Sequence, residues 1–554
     1  MYEEEDMPYI REFLLSRQLC RFLYIGTEKP VYKSGNWFDY NYNLTQNIFS
    51  IDEYATYYNE FKDIVSLIIQ EHDRKLIQNP ETLIFVLAMC AQQHEKENLR
   101  RKAYDAVCKV CKSPEHFILF NKFCSLINKH KDCPKKGGNG HGWRNAVKKW
   151  YYSKTPMELA KIATEFKSRY GWKHKDIIKL AHIRTTGSDR EIVFKYMLFG
   201  FKKLKETLPD PNTQSETAEE IMKFFESVED LKHCKDRIRS AALIDSLNLT
   251  LDHVPEHMLK FEEVWNLLVS SMSLSMILKN LQRIHNLGFL KSNGAMTLKV
   301  LDSLNPQNVT KEKIHPAVFL ITVKNYLNAG KSLSYEKRKI KEQAKKPLPS
   351  PPKANKEIVD ALYDMLNFSF SHLQATNHRY FIAIDTSRRM IENGCWRNGN
   401  VNAFEAGCLI AYSLIRTEKN VTIATFKNSV VESVIINADD HDDLTFLQFM
   451  KKLQSKTLEN IDVAKLITEA FKKHNHYDVF INLIDKIDDL PEYSEDDIDM
   501  YKKKLKLPIS NFIRFVNCAL SDSSTFRRKF FGENIVYICG FDEKVPYIIE
   551  AFAR

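Results

Sequence analysis

The sequence predicts a mainly α-helical protein, in which a helical-repeat region of the α-solenoid type is followed by a doubly wound α/β domain. Three observations support this fold class. Apolar residues recur with the 3.6-residue period of helices over more than 300 residues. A Pro-rich polar segment then interrupts the pattern at 341–355. Beyond it, short apolar runs alternate with helical segments, which is typical of a parallel sheet covered by helices.

The first region is predicted to consist of stacked helix pairs. Short connections separate its amphipathic segments, and β-branched alternating runs are few. A series of helix pairs of this length indicates an α-solenoid, although its repeat period is degenerate. The clearest predicted helices are Ile64–Asp73, Glu81–Gln93, Asn98–Cys111, Met157–Tyr170, Val264–Leu281 and Ala317–Asn328.

The segment Lys341–Asn355 contains four prolines in a short polar stretch and is interpreted as a semi-rigid linker. We therefore predict a helical domain over 1–340, a linker over 341–356 and an α/β domain over 357–554. Within the last domain, the predicted buried strands are Tyr380–Ile384, Val421–Phe426, Val479–Ile484 and Ile535–Cys539. The helices between and after them are predicted at Val401–Ile415, Leu444–Leu453, Val463–Lys473 and Tyr547–Phe552.

The charge of the chain is concentrated before the α/β domain. Residues 351–554 carry 26 Lys and Arg against 29 Asp and Glu, so the basic excess of the whole chain, +10, belongs to the preceding region. Such an excess favours a polyanionic partner, because each neutralised phosphate releases counterions. The acidic N-terminal sequence lacks the basic and apolar segments of a signal peptide. Reduced thiols and a cytoplasmic location, with a nuclear one as an additional alternative, are therefore expected, and no membrane span is predicted.

A basic helical segment follows Gly171 and is the strongest candidate for a binding surface. Lys175, Lys179 and His182 recur at i, i+4 and i+7, which places them within an arc of roughly 60° on a helix. Together with Lys167 and Arg169 they form a row of donors suited to phosphate oxygens. The alternative is an ordinary solvated basic face. The apolar residues predicted to pack on the other side are Ile177, Ile178, Leu180 and Ala181.

A second basic segment precedes it. Arg144 and Lys148 alternate with Trp143, Trp150 and Tyr151, a pattern found in proteins that bind single-stranded RNA. The alternative is that the tryptophans anchor helix packing, which applies above all to Trp150. The glycine-rich run before this segment is not followed by the Lys-Ser/Thr of a P-loop, so no nucleotide site is predicted.

Eight strings, in one order over most of the chain, resemble the 60 kDa Ro (SS-A) autoantigen family, which joins a TROVE module to a von Willebrand factor A-like domain. In the helical region they are RFLYIGTE at Arg21–Glu28, LIFVLAMCAQ at Leu83–Gln92, RYGWKHKDIIKLAHIR at Arg169–Arg184 and IHPAVFLI at Ile314–Ile321. In the α/β domain they are FIAIDTS at Phe381–Ser387, IRTEKNVTIATF at Ile415–Phe426, DVFINLID at Asp478–Asp485 and CGFD at Cys539–Asp542.

The resemblance implies a monomeric ring of HEAT-like repeats that the A-like domain closes. It also implies binding of Y-type noncoding RNA on the outer surface and of single-stranded ends of misfolded small RNAs in the central hole, as RNA quality control. Carried over by position, the RNA-binding residues of the outer surface are Lys167, Arg169, Lys175, Lys179 and His182. Arg144 and Lys148 correspond to the basic inner surface. Glu165 stands where relatives commonly carry a basic residue.

The resemblance also implies a metal-ion-dependent site in the A-like domain, and here the sequence departs from the pattern. Asp385, Ser387 and Asp485 occupy ligand positions. Arg389 replaces the second serine and Ile461 stands at the expected threonine, so two hydroxyl ligands are lost and a cation is added. Because a guanidinium opposes a divalent ion and can pair with carboxylates instead, the site is predicted to be degenerate, with Mg²⁺ binding doubtful and no other cofactor expected.

No catalytic motif is present at an interpretable spacing, so an enzyme is not predicted. The sequence favours an RNA-binding scaffold of a small ribonucleoprotein. The alternative is a protein-interaction adaptor that acts through the A-like domain, with protein partners there and little RNA binding. Salt dependence of RNA binding distinguishes the two, since only a protein that neutralises several phosphates loses orders of magnitude in affinity as salt rises.

Overall fold

The structure is a computed structural model, and the account is confined to the residues that it describes. These are residues 7–35, 63–93, 96–129, 140–165, 170–184, 189–207, 215–328, 353–427, 430–434, 444–454, 475–486, 495–507, 513–522 and 534–554. The chain forms two compact units. Unit 1 comprises Met1–Glu28 and Phe38–Ser271, and unit 2 comprises Lys29–Trp37 and Met272–Arg554.

Unit 1 is helical throughout its longer described segments, as predicted. Its helices begin where polar side chains cap the first turn: Asp63 accepts a hydrogen bond from the amide of Val65, and Ser215 accepts one from Ala218. The helices are Met7–Ile25, Ile64–Arg74, Pro80–Ala91, Glu97–Val110, Pro114–Lys129, His141–Tyr152, Pro156–Glu165, His174–Ala181, Asp189–Phe199, Phe201–Glu206, Glu216–His233, Arg237–Leu247 and Glu262–Ser271.

Two predicted helices were too long. The predicted helix Met157–Tyr170 is observed as Pro156–Glu165, and Tyr170 has a left-handed φ of 54° that a continuing helix excludes. The predicted helix Val264–Leu281 is two helices, Glu262–Ser271 and Leu274–Asn286. The second begins because Ser273 adopts an extended backbone and its hydroxyl accepts from the amide of Met276, a cap that apolar periodicity does not reveal.

Unit 2 contains helices on both sides of the predicted linker. Before it lie Leu274–Asn286, Ala295–Ser303, Pro306–Glu312 and Pro316–Leu327. The linker prolines lie outside the described residues. Asn355 is described, and it caps the helix Lys356–Ser369 by accepting from the amide of Glu357. The helices of the α/β part are Arg388–Glu392, Ala403–Thr417, Phe446–Gln454, Glu495–Lys504 and Val545–Ala553, while the predicted helix Val463–Lys473 lies outside the described residues.

The sheet of unit 2 has seven strands in the order β1-β7-β6-β5-β2-β3-β4. All neighbours are parallel except β3 and β4, which pair antiparallel. The strands are β1 (Val31–Lys33), β2 (Arg379–Ile384), β3 (Asn420–Lys427), β4 (Val430–Val434), β5 (Val479–Ile484), β6 (Arg514–Ala519) and β7 (Ile535–Cys539). The four predicted strands are therefore confirmed.

Three strands were missed, and β1 is the most distant from its partner in sequence. This three-residue strand pairs with β7, and Tyr32 donates its hydroxyl hydrogen to Asp542 Oδ2 over 2.7 Å. The amide of Gly35 donates to the same carboxylate oxygen over 2.9 Å. A strand that depends on a carboxylate some 500 residues later gives no local signal.

Within the described part of the chain, no helix combines the length and the apolar character needed to cross a bilayer.

Candidate nucleic-acid interface

The first candidate element is the helix His174–Ala181 of unit 1. It begins after Lys173, whose amide donates to Asp176 Oδ2 over 3.1 Å, and Asp176 also places negative charge in the first turn. Its buried side consists of His174, Ile177, Ile178 and Ala181. Leu180, which was predicted to pack, is instead 40% exposed.

The helix ends at Ala181, one residue before His182. His182 has a left-handed backbone (φ 49°), and the amide of Ile183 donates to Ile178 O over 3.3 Å. This is a Schellman ending, in which buried Ile183 lies beyond the helix and packs back toward it. The helical spacing that predicted a common row therefore holds for Lys175 and Lys179, while the direction of His182 is set by the helix ending.

The side chains of Lys175, Lys179 and His182 are accessible to different degrees. Lys179 and His182 are exposed, and Lys175 is half-buried. Among the residues that the structure describes, none of the three forms a hydrogen bond or an ion pair through its side chain. Some other cations of unit 1 are paired, for example Lys195 with Glu191 over 3.0 Å. Unpaired cations keep their full charge for an external anion.

Of the three other residues that the sequence singled out near this helix, the structure describes only Glu165. Lys167 and Arg169 lie outside the described residues. Glu165 is described, and its Oε1 accepts from the hydroxyl of Thr250 over 2.8 Å. Burial raises the pKa of Glu165, and the Thr250 hydrogen bond opposes that shift. Glu165, the acidic residue noted in the sequence, therefore bonds to another segment of unit 1.

The second candidate element is the helix His141–Tyr152, and here the predicted aromatic contacts were wrong. Trp143, Trp150 and Tyr151 are 2%, 1% and 0% exposed, so none of them is available to stack on an RNA base. The Trp150 ring stacks on Phe117 with centroids 3.9 Å apart, and its Nε1 donates to Cys111 O over 2.7 Å. These are packing contacts, which confirms the alternative interpretation of Trp150.

The cations of the same helix lie beside this buried face. Arg144 and Lys148 are half-buried, one turn apart, and neither forms an ion pair within the described part of the chain. Lys149 lies on the other flank and pairs with Asp105 over 3.3 Å. One further residue was missed: Tyr152, one turn beyond Lys148, is 50% exposed. Its i+4 spacing from Lys148 is the signal that could have identified it.

A buried hydrogen bond joins the two candidate helices. The hydroxyl of Tyr151 and Nδ1 of His174 are 2.8 Å apart, and both residues are almost fully buried. Burial lowers the pKa of His174 to about 4 and raises the pKa of Tyr151 well above its usual value. Both groups are therefore neutral near pH 7, and His174 acts as a packing residue that fixes the relative position of the two cationic helices.

The predicted metal-site residues meet at the carboxyl ends of β2 and β5. The amide of Asp385 donates to Leu483 O over 2.9 Å, which places Asp385 beside the end of β5, where Asp485 follows. Asp385 and Asp485 are buried, as is Ser387. Sites of open α/β sheets lie at this edge, so the sheet topology accounts for the juxtaposition.

Two carboxylate oxygens at this edge of the sheet accept hydrogen bonds from the protein. Oδ1 of Asp385 accepts from the amide of Ser387 over 2.7 Å, and Oδ2 of Asp485 accepts from Asn393 Nδ2 over 2.9 Å. Ser387 Oγ and Asp485 Oδ1 are buried, and neither has a hydrogen-bond partner among the described residues. Among the described residues, no three His, Cys, Asp or Glu side chains gather as metal ligands. Ile461 lies outside them.

Two family descriptions match the chain. Residues 42–367 match the TROVE domain, and residues 379–553 match the Ro60 vWA domain. The RNA-binding protein RO60 of Deinococcus radiodurans is 24% identical over 476 residues, 85% of this chain and 81% of that protein. RNA-binding protein RO60 of Caenorhabditis elegans is 24% identical over 434 residues, which is 67% of this chain but only 63% of the relative.

The fold has a close counterpart among solved structures. The crystal structure of the Deinococcus radiodurans RO (RSR) protein superposes with a TM-score of 0.79 at 20% sequence identity, covering 98% of this chain and 99% of the other. The predicted fold class, a mainly helical region followed by an α/β domain, is thereby confirmed. The matched TROVE domain spans more than half of the chain, and the chain therefore belongs to the Ro60 family, with a TROVE domain followed by a Ro60 vWA domain.

Proposed function

We propose that this protein is a non-catalytic RNA-binding scaffold of a small ribonucleoprotein. The observation that carries the proposal is a set of side chains on two joined helices of unit 1 that have no acidic partner among the described residues. These are Lys175, Lys179 and His182 on and after one helix, and Arg144 and Lys148 on the other. Two relatives bear the name RNA-binding protein RO60, which supports the same class of partner.

The two groups are proposed to serve different RNAs. Lys175, Lys179 and His182, with Lys167 and Arg169, bind a structured Y-type noncoding RNA on the outer surface. Arg144 and Lys148 bind the single-stranded ends of misfolded small RNAs in the central hole, which would make the protein part of RNA quality control. Ammonium, guanidinium and imidazole groups all donate to phosphate oxygens, so these contacts position RNA without reading its sequence.

The decisive experiment measures the salt dependence of RNA binding. Fluorescence anisotropy with a labelled hairpin RNA, repeated from 50 to 300 mM KCl, yields the slope of log affinity against log salt. We expect the double variant Lys175→Ala with Lys179→Ala to flatten this slope by about 2, since each lost phosphate contact changes it by about 1. The thermal midpoint should stay unchanged, because both side chains lie at the surface.

A charge-matched control uses two lysines of the same unit that already have acidic partners. Lys195 pairs with Glu191, and Lys223 lies 3.8 Å from Glu219. The variant Lys195→Ala with Lys223→Ala removes the same formal charge, yet it should leave the slope within experimental error of the wild type. Equal effects of the two double variants would show that net charge, and not the candidate surface, governs binding.

The second group is tested with RNAs that carry a free single-stranded 3′ end. The variant Arg144→Glu with Lys148→Glu should weaken binding of such an RNA much more than binding of the hairpin, because salt screens charges that lie more than about 10 Å from a phosphate. Equal losses for both RNAs would mean that the two groups form one site. Weak and salt-insensitive binding of every RNA by the wild type would instead favour a protein-interaction adaptor that acts through the A-like domain.

A further inference from the structure

Tyr152 is the exposed aromatic residue of the helix His141–Tyr152. Half of its surface is accessible (50%), whereas Trp143, Trp150 and Tyr151 on the same helix are at most 2% exposed. Its hydroxyl forms no hydrogen bond with any residue that the structure describes. Packing therefore accounts for the other three rings of this helix and leaves much of the surface of the fourth accessible.

The exposed ring continues the line of unpaired cations. Arg144, Lys148 and Tyr152 follow one another at intervals of four residues, which places them within an arc of roughly 80° on one side of the helix. Neither cation has an acidic partner in the described part of the chain. An RNA strand that follows the cations along this side reaches Tyr152 about 6 Å after Lys148 along the helix axis.

A third cation is held against the ring itself. The guanidinium of Arg190 lies 5.6 Å from the centroid of Tyr152, and its Nη2 donates to Lys154 O over 2.8 Å. Tyr152 also lies next to Phe194, with ring centroids 6.4 Å apart. These neighbours restrain the ring at the surface, so little side-chain entropy remains to be lost when a flat ligand stacks on it.

We propose that Tyr152 is a stacking platform for a base of single-stranded RNA, an inference that rests on the proposed function. The alternation of cations and an exposed ring matches the two parts of such a ligand. Phosphates pair with Arg144, Lys148 and Arg190, while an unstacked base lies against the Tyr152 ring. Stacking tolerates any base, so this contact adds affinity for single strands without sequence preference.

The experiment compares intact and abasic oligonucleotides with the full chain. A labelled 12-nucleotide oligo(U) and an abasic strand of the same length carry the same phosphate charge and differ only in their bases. Tyr152→Ala should weaken binding of oligo(U) by about tenfold and leave the abasic strand unchanged, since one base stack is lost. Its salt slope should match the wild type, whereas Lys148→Ala should flatten the slope by about 0.7.

Two variants control for other causes. Tyr152→Phe keeps the ring and should bind oligo(U) like the wild type. Phe199→Ala removes another exposed aromatic of the same unit, 52% accessible and also beside a cation, and should change the affinity by less than twofold. Unchanged oligo(U) affinity in Tyr152→Ala would overturn the proposal. So would an equal loss on the abasic strand, a loss in Tyr152→Phe, or an equal loss in Phe199→Ala.

The proposed function and this inference fail in distinguishable ways. If the wild type binds neither oligonucleotide, the single-strand function is refuted, and the stacking platform with it. If the wild type binds both equally and Tyr152→Ala behaves identically, phosphate binding stands and only the stacking proposal is refuted.

Discussion

Mild acid should loosen the helix His174–Ala181, because its first residue is buried in the neutral form. His174 is 3% exposed, and its only hydrogen bond with a described residue joins Nδ1 to the Tyr151 hydroxyl. Among the described residues, its buried Nε2 has no hydrogen-bond partner. Burial disfavours the charged imidazolium, which lowers the pKa of His174 from 6.5 to about 4.

The sign and size of the effect follow from proton linkage. A histidine whose folded-state pKa lies below its unfolded value binds fewer protons when folded. Its contribution to stability is therefore complete above about pH 6.5 and is lost as the pH falls toward 4. Between pH 7 and pH 5 the lost stability is about 2 kcal/mol, and below pH 4 the full loss approaches about 3 kcal/mol.

Hydrogen exchange with mass spectrometry measures the stability of the helix His174–Ala181 separately from that of the rest of the chain. A local measurement is needed because the chain forms two compact units. The opening free energy of amides in residues 174–184, corrected for the intrinsic pH dependence of exchange, should fall by about 2 kcal/mol from pH 7 to pH 5. The variant His174→Gln keeps an acceptor for the Tyr151 hydroxyl and cannot titrate, so its profile should be flat. Identical profiles for wild type and variant would refute the assignment of His174 as a buried neutral residue.

Two further changes test single positions. His182→Gly should raise the opening free energy of the helix ending by about 1 kcal/mol in the same exchange experiment, because glycine adopts the left-handed backbone without a Cβ clash. The same variant should weaken hairpin RNA binding, because the imidazole is lost. An unchanged or lowered opening energy would contradict the first part. Titration calorimetry with Mg²⁺ should show no sub-millimolar binding to the wild type, and such binding abolished by Asp385→Ala would contradict the degenerate metal site.

Local periodicity was sufficient to predict much of this protein. The apolar runs that form β2, β3, β5 and β7 are short and contain β-branched residues. The four-residue spacing of Lys175 and Lys179 predicted that both lie on one side of a helix. These features depend on neighbours within one or two turns or on one strand. The resemblance to the Ro family implied that Asp385 and Asp485 belong to one site, and the parallel strands do bring the two residues to one edge of the sheet.

Other features depend on partners far away in the chain, and only the tertiary structure decided them. Among the aromatics of one amphipathic helix, burial of Trp150 against Phe117 and exposure of Tyr152 follow from which helices pack beside it. The strand β1 exists because Asp542 holds Tyr32 and Gly35. The sequence by itself determined where cationic side chains and strands occur, because those signals are local. The tertiary structure determined which of these side chains remain accessible, because accessibility depends on distant segments that no local pattern encodes.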